Sequence, residues 1–193
     1  MTDAMTGPLL QYLQQGRDAM MRALDGLGEY DARRPLTPSG TNILGLVKHL
    51  VGVERSYLGE CVGRAPEFTL PWEEDGSIWD GADMWLRPDE SRGYVVGLYH
   101  RTWQNSDASI DALPLDTEAY VHWWKEDNRR PSLGSLITRV VAETAQHAGH
   151  AEILREGPDG QCGRDHDAFG DTAAWTAYVA RIQEAADTFR NLT

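Results

Sequence analysis

Glu143, His147 and His150, within the stretch "VAETAQHAGHAEILRE" (140–155), have the types and spacing for chemistry. The stretch reads as helix throughout. Spacings of four and three stack side chains on one helical face. At 100° per residue the three fall within roughly 60° of one another. A glutamate and a histidine four residues apart can both reach one ion. His49, in an earlier helical stretch, stands three residues after Leu46 and four before Val53, so it is placed to point inward. Bundle cores build metal sites from such side chains on facing helices. A catalytic zinc takes three His or carboxylate ligands and keeps one position open. Each residue also has an ordinary reading. His49 could be a hydrogen-bonded core histidine. Glu143 could pair with Arg139, one turn earlier. His150 could hydrogen-bond to a ligand instead of acting itself.

Five helical segments must position these groups. The first covers about 9–27, with Leu9, Leu13, Met20, Leu24 and Leu27 on one side. It breaks at "RRPLTPSG". The second starts at Thr41 or Asn42, either of which can cap it. Its apolar stripe is Ile43, Leu46, Leu50, Val53 and Tyr57. A connection from 64 to 88 holds Trp72, Trp79 and Trp85; loops of that length are often functional. The third helix covers about 89–111. A second aromatic connection, "LPLDTEAYVHWWKEDNRRP", leads to the fourth helix. That helix starts near Ser132 and stops at Gly157 and Pro158. Its seam is Leu133, Ile137, Val140, Thr144, His147, Ala151 and Leu154, spaced 4-3-4-3-4-3. His147 lies on this buried stripe, and Glu143 and His150 lie beside it. The fifth helix covers about 171–190. The pattern predicts an all-α chain, a four-helix bundle with an additional C-terminal helix, in a single domain over 1–193.

Composition removes several function classes. Hydrophobic residues make up 41% and charged residues 25% of the 193, as in a globular protein. No apolar run reaches the roughly 18–20 residues of a membrane span. The start, "MTDAMTGPLLQYLQQ", does not read as a signal peptide, so the expected location is cytoplasmic. The net charge is −12, and the only basic cluster is "NRR" at 128–130. Nucleic acid, which demands clustered Lys and Arg, is not an expected partner. Cys61 and Cys162 form no CxxC motif and cannot make a metal site alone. Cys61, inside a helical pattern, reads as a small buried apolar residue. His100 and His122 sit among aromatics and His166 in a polar loop, none in a ligand-like setting.

Taken together, these stretches resemble the DinB-like superfamily. "ETAQHAGHAEILRE" carries the most specific likeness, and "NILGLVKHLVGVERSYL" is similar to the helix bearing that family's first ligand. The longer stretch "WWKEDNRRPSLGSLITRVVAETAQHAGHAEILREGPDG" resembles an actinobacterial branch of small proteins. Carried over residue by residue, the resemblance implies a metal triad of His49, Glu143 and His147. Many relatives have His where this chain has Glu143. The ExxxH form resembles instead the mycothiol-dependent maleylpyruvate isomerase, where the glutamate is a zinc ligand. His150 stands where many relatives have Gln, so the resemblance does not make it a ligand. The same resemblance implies a four-helix bundle with a divalent ion, usually zinc, at one end of the core, and a chemistry of mycothiol or bacillithiol transfer.

An ion with open positions would deprotonate an incoming thiol, whose free pKa is about 8.5. The thiolate could then attack an epoxide, an activated halide or a conjugated alkene. The expected function is therefore metal-dependent conjugation of mycothiol to a small electrophile. His150 is the candidate catalytic proton carrier, since imidazole titrates near neutral pH. The alternatives are a thiol-dependent isomerase and a non-catalytic metal-binding stress protein. Zinc is the expected ion, with nickel or iron also served by His and carboxylate. Expected partners are the small thiol and the electrophile, with a homodimer allowed and no membrane. The tryptophans at 72–85 and 123–124 read first as core closure and second as pocket walls.

Overall fold

The computed structural model describes residues 4–160 and 170–190. These contain seven α-helices: α1 (Thr6–Leu24), α2 (Glu29–Arg33), α3 (Ile43–Leu58), α4 (Pro71–Glu74), α5 (Arg92–Ala112), α6 (Leu133–Asp159) and α7 (Thr172–Asp187). Extended pairing among the described residues is one isolated bridge, Glu118 to Ser132. The protein is all-α. Among the described residues no helix is long and apolar enough to cross a membrane. Cys162 and His166 lie outside the described residues.

The bundle consists of α1, α3, α5 and α6. Helix α1 packs along α6, and α3 packs on both α5 and α6. Short polar side chains start α3, α5 and α6 by accepting otherwise unpaired amides. Asn42 Oδ1 accepts from Gly45 N at 2.7 Å. Ser91 does the same for Tyr94 on α5, and Ser132 for Ser135 on α6. Asp171 caps α7, none of whose residues is buried.

Several boundaries differ from the sequence reading: α1 begins earlier, at Thr6, α3 ends at Leu58 with Cys61 in a following 3-10 turn, and α7 ends at Asp187. Helix α1 ends at Leu24, because Gly26 takes φ +74°, a conformation glycine adopts without steric cost. Leu27 is still buried, but from the turn. Helix α5 begins only at Arg92. Helix α6 runs through Gly157 and Pro158 to Gly160, whose φ is +73° and whose amide donates to Glu156 O. Proline's fixed φ is helical, but it lacks the amide that would bond Leu154 O, so the last turn forgoes one hydrogen bond there. A single internal glycine costs only about 1 kcal/mol.

Five of the seven seam residues of α6, Leu133, Ile137, Val140, Thr144 and Ala151, are buried, whereas His147 and Leu154 are half-buried. Helix α3 departs from a one-sided stripe. It is buried nearly all round, charged Lys48, Glu54 and Arg55 included, as befits the helix at a bundle's centre. Each of these charges is paired with one from elsewhere. Arg17 of α1 reaches Glu54 and also Asp107 at 2.9 Å. Arg55 meets Glu73 at 2.7 Å, and Lys48 meets Glu90 at 2.9 Å.

The connection from 64 to 88 is not a structureless loop. It holds α4 and two 3-10 turns, Ser77–Asp80 and Ala82–Met84. Trp72 is core, 1% exposed, with Lys48 Nζ 4.3 Å from its ring centre. Trp79 and Trp85 are 84% and 48% exposed. Core closure therefore accounts for Trp72 and not for the other two.

Candidate metal centre

Helices α3 and α6 run antiparallel, so Tyr57 of α3 lies by Arg139 of α6 while His49 lies by Glu143 and His147. The latter two are one turn apart on α6 and present Oε1 and Nε2 to each other at 3.5 Å. His49 Nε2 comes across from α3 to 3.9 Å from the same Oε1. The His49 and His147 rings are 5.0 Å apart at 78°. One donor atom from each of His49, Glu143 and His147 lies within 4.8 Å of the other two.

These separations exceed those of good hydrogen bonds and suit a shared cation. Four ligands at about 2.0–2.1 Å in a tetrahedron stand roughly 3.3 Å apart, close to the 3.5 and 3.9 Å observed. The side chains are 23%, 30% and 14% exposed, so the centre is sheltered yet reachable from solvent. Burial and the neighbouring His49 hold the His147 imidazole below its ordinary pKa, against the opposing pull of Glu143. A neutral imidazole is what a metal requires.

Arg139 does not compete for Glu143. Its guanidinium lies over the rings of Tyr57 and Trp124, at 5.1 and 5.4 Å. His150 is exposed, with its ring 5.6 Å from that of His147, and stands outside the donor cluster. His100 packs on Trp103 and His122 on Trp123, each at 4.7 Å. Cys61 is buried, and burial pushes its thiol up to about 12. At neutral pH it is not a nucleophile.

Asp83 escaped the sequence reading. Its Oδ2 sits 2.7 Å from His49 Nδ1. A carboxylate there fixes the tautomer with the proton on Nδ1 and leaves the Nε2 lone pair facing Glu143. Asp83 is held by a clamp built on the first turns of α3. Lys48 Nζ donates to Ala82 O at 2.6 Å and Trp85 O at 3.0 Å. Asn42 Nδ2 donates to Met84 O at 3.1 Å. Gly45 lets that same carbonyl approach, for a Cβ there would stand 1.9 Å from Met84 O. Asp83→Asn is expected to weaken zinc binding about 10–100-fold, the usual cost of losing such a partner. Zinc titration against a competing chelator measures it, and unchanged affinity would remove Asp83 from the centre.

The fold and donor set together define a helical-bundle protein with a His–Glu–His cluster between two of its long helices. The family model described as MST, mycothiol-S-transferase, matches residues 8–160, from the first turn of α1 through α6. The chain belongs to that family. Among curated proteins no match is found.

Proposed function

We propose that the protein is a metal-dependent S-transferase that joins mycothiol to a small electrophile. The reading is carried by one observation: two imidazole Nε2 atoms and one carboxylate oxygen converge from α3 and α6. Membership of the mycothiol-S-transferase family supports it.

His49, Glu143 and His147 would hold the ion, zinc first, with nickel or iron as alternatives. Once bound there, a divalent ion supplies a thiolate at neutral pH by lowering the pKa of a thiol. The remaining work belongs to the chain. Asp83 orients His49. Glu143 contributes the negative charge that balances the site. His150 takes the thiol proton, and the sulfur then forms a C–S bond to the electrophilic carbon. A halide leaves with its electron pair. An opened epoxide oxygen, or the α-carbon of a conjugated alkene, receives a proton back from His150 or water. The nucleophile comes from outside in this reading: the Cys61 thiol is buried and held protonated, and Cys162 does not belong to the donor motif. A cytoplasmic setting would supply it.

The test is thiol loss against a panel of one epoxide, one activated aryl halide and one conjugated alkene, with and without chelator. The expected result is thiol consumption that the chelator abolishes and zinc restores. Turnover without net thiol loss would make the protein an isomerase. Chelator-insensitive consumption, or no reaction with any electrophile, would overturn the proposal.

A further inference from the structure

A second feature lies beyond Arg139, which stands one turn before Glu143 on α6 and reaches over the Trp124 ring. Trp123, Trp124, Lys125, Asp127, Asn128, Arg130 and Pro131 line an open cleft of about 670 Å³ on the connection before α6. That volume falls in the range of about 300–1,000 Å³ typical of small-molecule sites. Both indole N–H groups donate to Tyr57 Oη, at 3.4 and 3.2 Å. The two bonds fix the rings without a ligand, so little order is lost on binding. Trp123 is 39% exposed, and Lys125, Asp127 and Asn128 are exposed around it.

The cleft is tied to the donor cluster by both helices. Tyr57 stands eight residues beyond His49 on α3, roughly 12 Å along the axis at 1.5 Å per residue. Arg139 stands one turn before Glu143 on α6, and its guanidinium covers both Tyr57 and Trp124. A molecule with its sulfur at the donors and its far end in the cleft would span this distance past Arg139.

The cleft's chemistry describes that far end. Indole faces are electron-rich and favour the polarised C–H face of a saturated, hydroxylated ring. Lys125, Asp127, Asn128 and Arg130, the last paired with Glu118 at 2.6 Å, offer donors and acceptors of both signs, suited to several hydroxyls. We propose that this cleft binds the glycoside portion of the thiol, the amino sugar and cyclic polyol on which mycothiol carries its cysteine. The assignment rests on the mycothiol reading above. It makes Trp123 and Asp127 determinants of which thiol is used.

Two measurements separate this site from the metal reading. The first is calorimetry with the cysteine-free glucosaminyl-inositol fragment. The full-length protein should bind it with or without zinc. Trp123→Ala should weaken it about tenfold. Asp127→Ala, at an exposed position where folding is not at risk, should weaken it severalfold. No binding by the unaltered protein, or undiminished binding by both variants, would overturn the subsite whatever the metal does. The second is titration of cobalt-substituted protein with mycothiol and with N-acetylcysteine, read by the thiolate absorption band. Trp123→Ala should raise the Kd for mycothiol about tenfold and leave N-acetylcysteine unchanged. Equal losses for both thiols would mean that the indole supports the metal centre and not a sugar. Absence of a band with either thiol would sink the transferase mechanism, and the calorimetry would still decide the cleft.

Discussion

His147→Ala is expected to leave purified protein without its divalent ion, against close to one equivalent in the unaltered chain. His147 supplies one of three donors that lie within 4.8 Å of each other. Zinc sites release about 10 kcal/mol or more on binding. Losing a third of that is roughly 3 kcal/mol, a drop in affinity of more than a hundredfold. Water can fill the vacated position but brings no rigid, neutral nitrogen donor with it. The fold should survive, because the His147 ring is partly exposed and its Nδ1 has no hydrogen-bond partner to strand. His100→Ala is the control, since that ring packs on Trp103 well away from the donor cluster. Elemental analysis after dialysis and zinc titration of both variants provide the readout. An unaltered protein that neither carries nor takes up an ion would end the metal reading. Equal loss in the two variants would point to unfolding instead.

What the sequence disclosed about this centre was local. Asn42 and Ser132 announced their helices because a cap and the amide it serves lie three residues apart. Glu143 and His147 announced a shared face because four residues make about one turn. His49 was readable from its place in the α3 pattern. What stayed hidden depends on contacts far apart in the chain. Asp83 reaches His49 across 34 positions and Lys48 reaches Glu90 across 42, and neither Asp83 nor Glu90 belongs to a periodic pattern. The same limit explains the buried charges of α3. Their partners Arg17, Glu73 and Glu90 come from other segments, and Glu54 without Arg17 beside it reads as a surface residue. Local spacing also offered a wrong partner. Arg139 and Glu143 have the separation of a helical ion pair, but Tyr57 and Trp124 occupy the guanidinium from across the bundle. The three side chains that converge were thus legible on their helices, whereas the carboxylate hydrogen-bonded to His49 was not.

Gly45→Ala tests that hidden part most severely, and it is expected to lose stability and metal affinity together. A methyl group there would meet Met84 O at 1.9 Å, Met84 C at 2.6 Å and the capping Asn42 Oδ1 at 2.9 Å. Two of these atoms are backbone and cannot rotate aside, so the Ala82–Met84 turn must move off α3. Overpacking costs about 1–3 kcal/mol and sometimes more, and here the Asn42 and Lys48 hydrogen bonds to the turn go with it. Asp83 rides on that turn, so its 2.7 Å contact with His49 is lost as well. Zinc affinity should fall about 10–100-fold, as for Asp83→Asn. Gly97→Ala is the comparison: a Cβ at Gly97 of α5 meets nothing within 4 Å. There alanine should be neutral or stabilise by up to about 1 kcal/mol. The decisive sample combines Gly45→Ala with Asp83→Asn. If Gly45 acts on the centre through Asp83, the double variant binds zinc no more weakly than the weaker single one. Additive losses would show that the clamp reaches the metal by some other route. A destabilised Gly45→Ala protein with full zinc affinity would show that His49 needs no help from the turn at all.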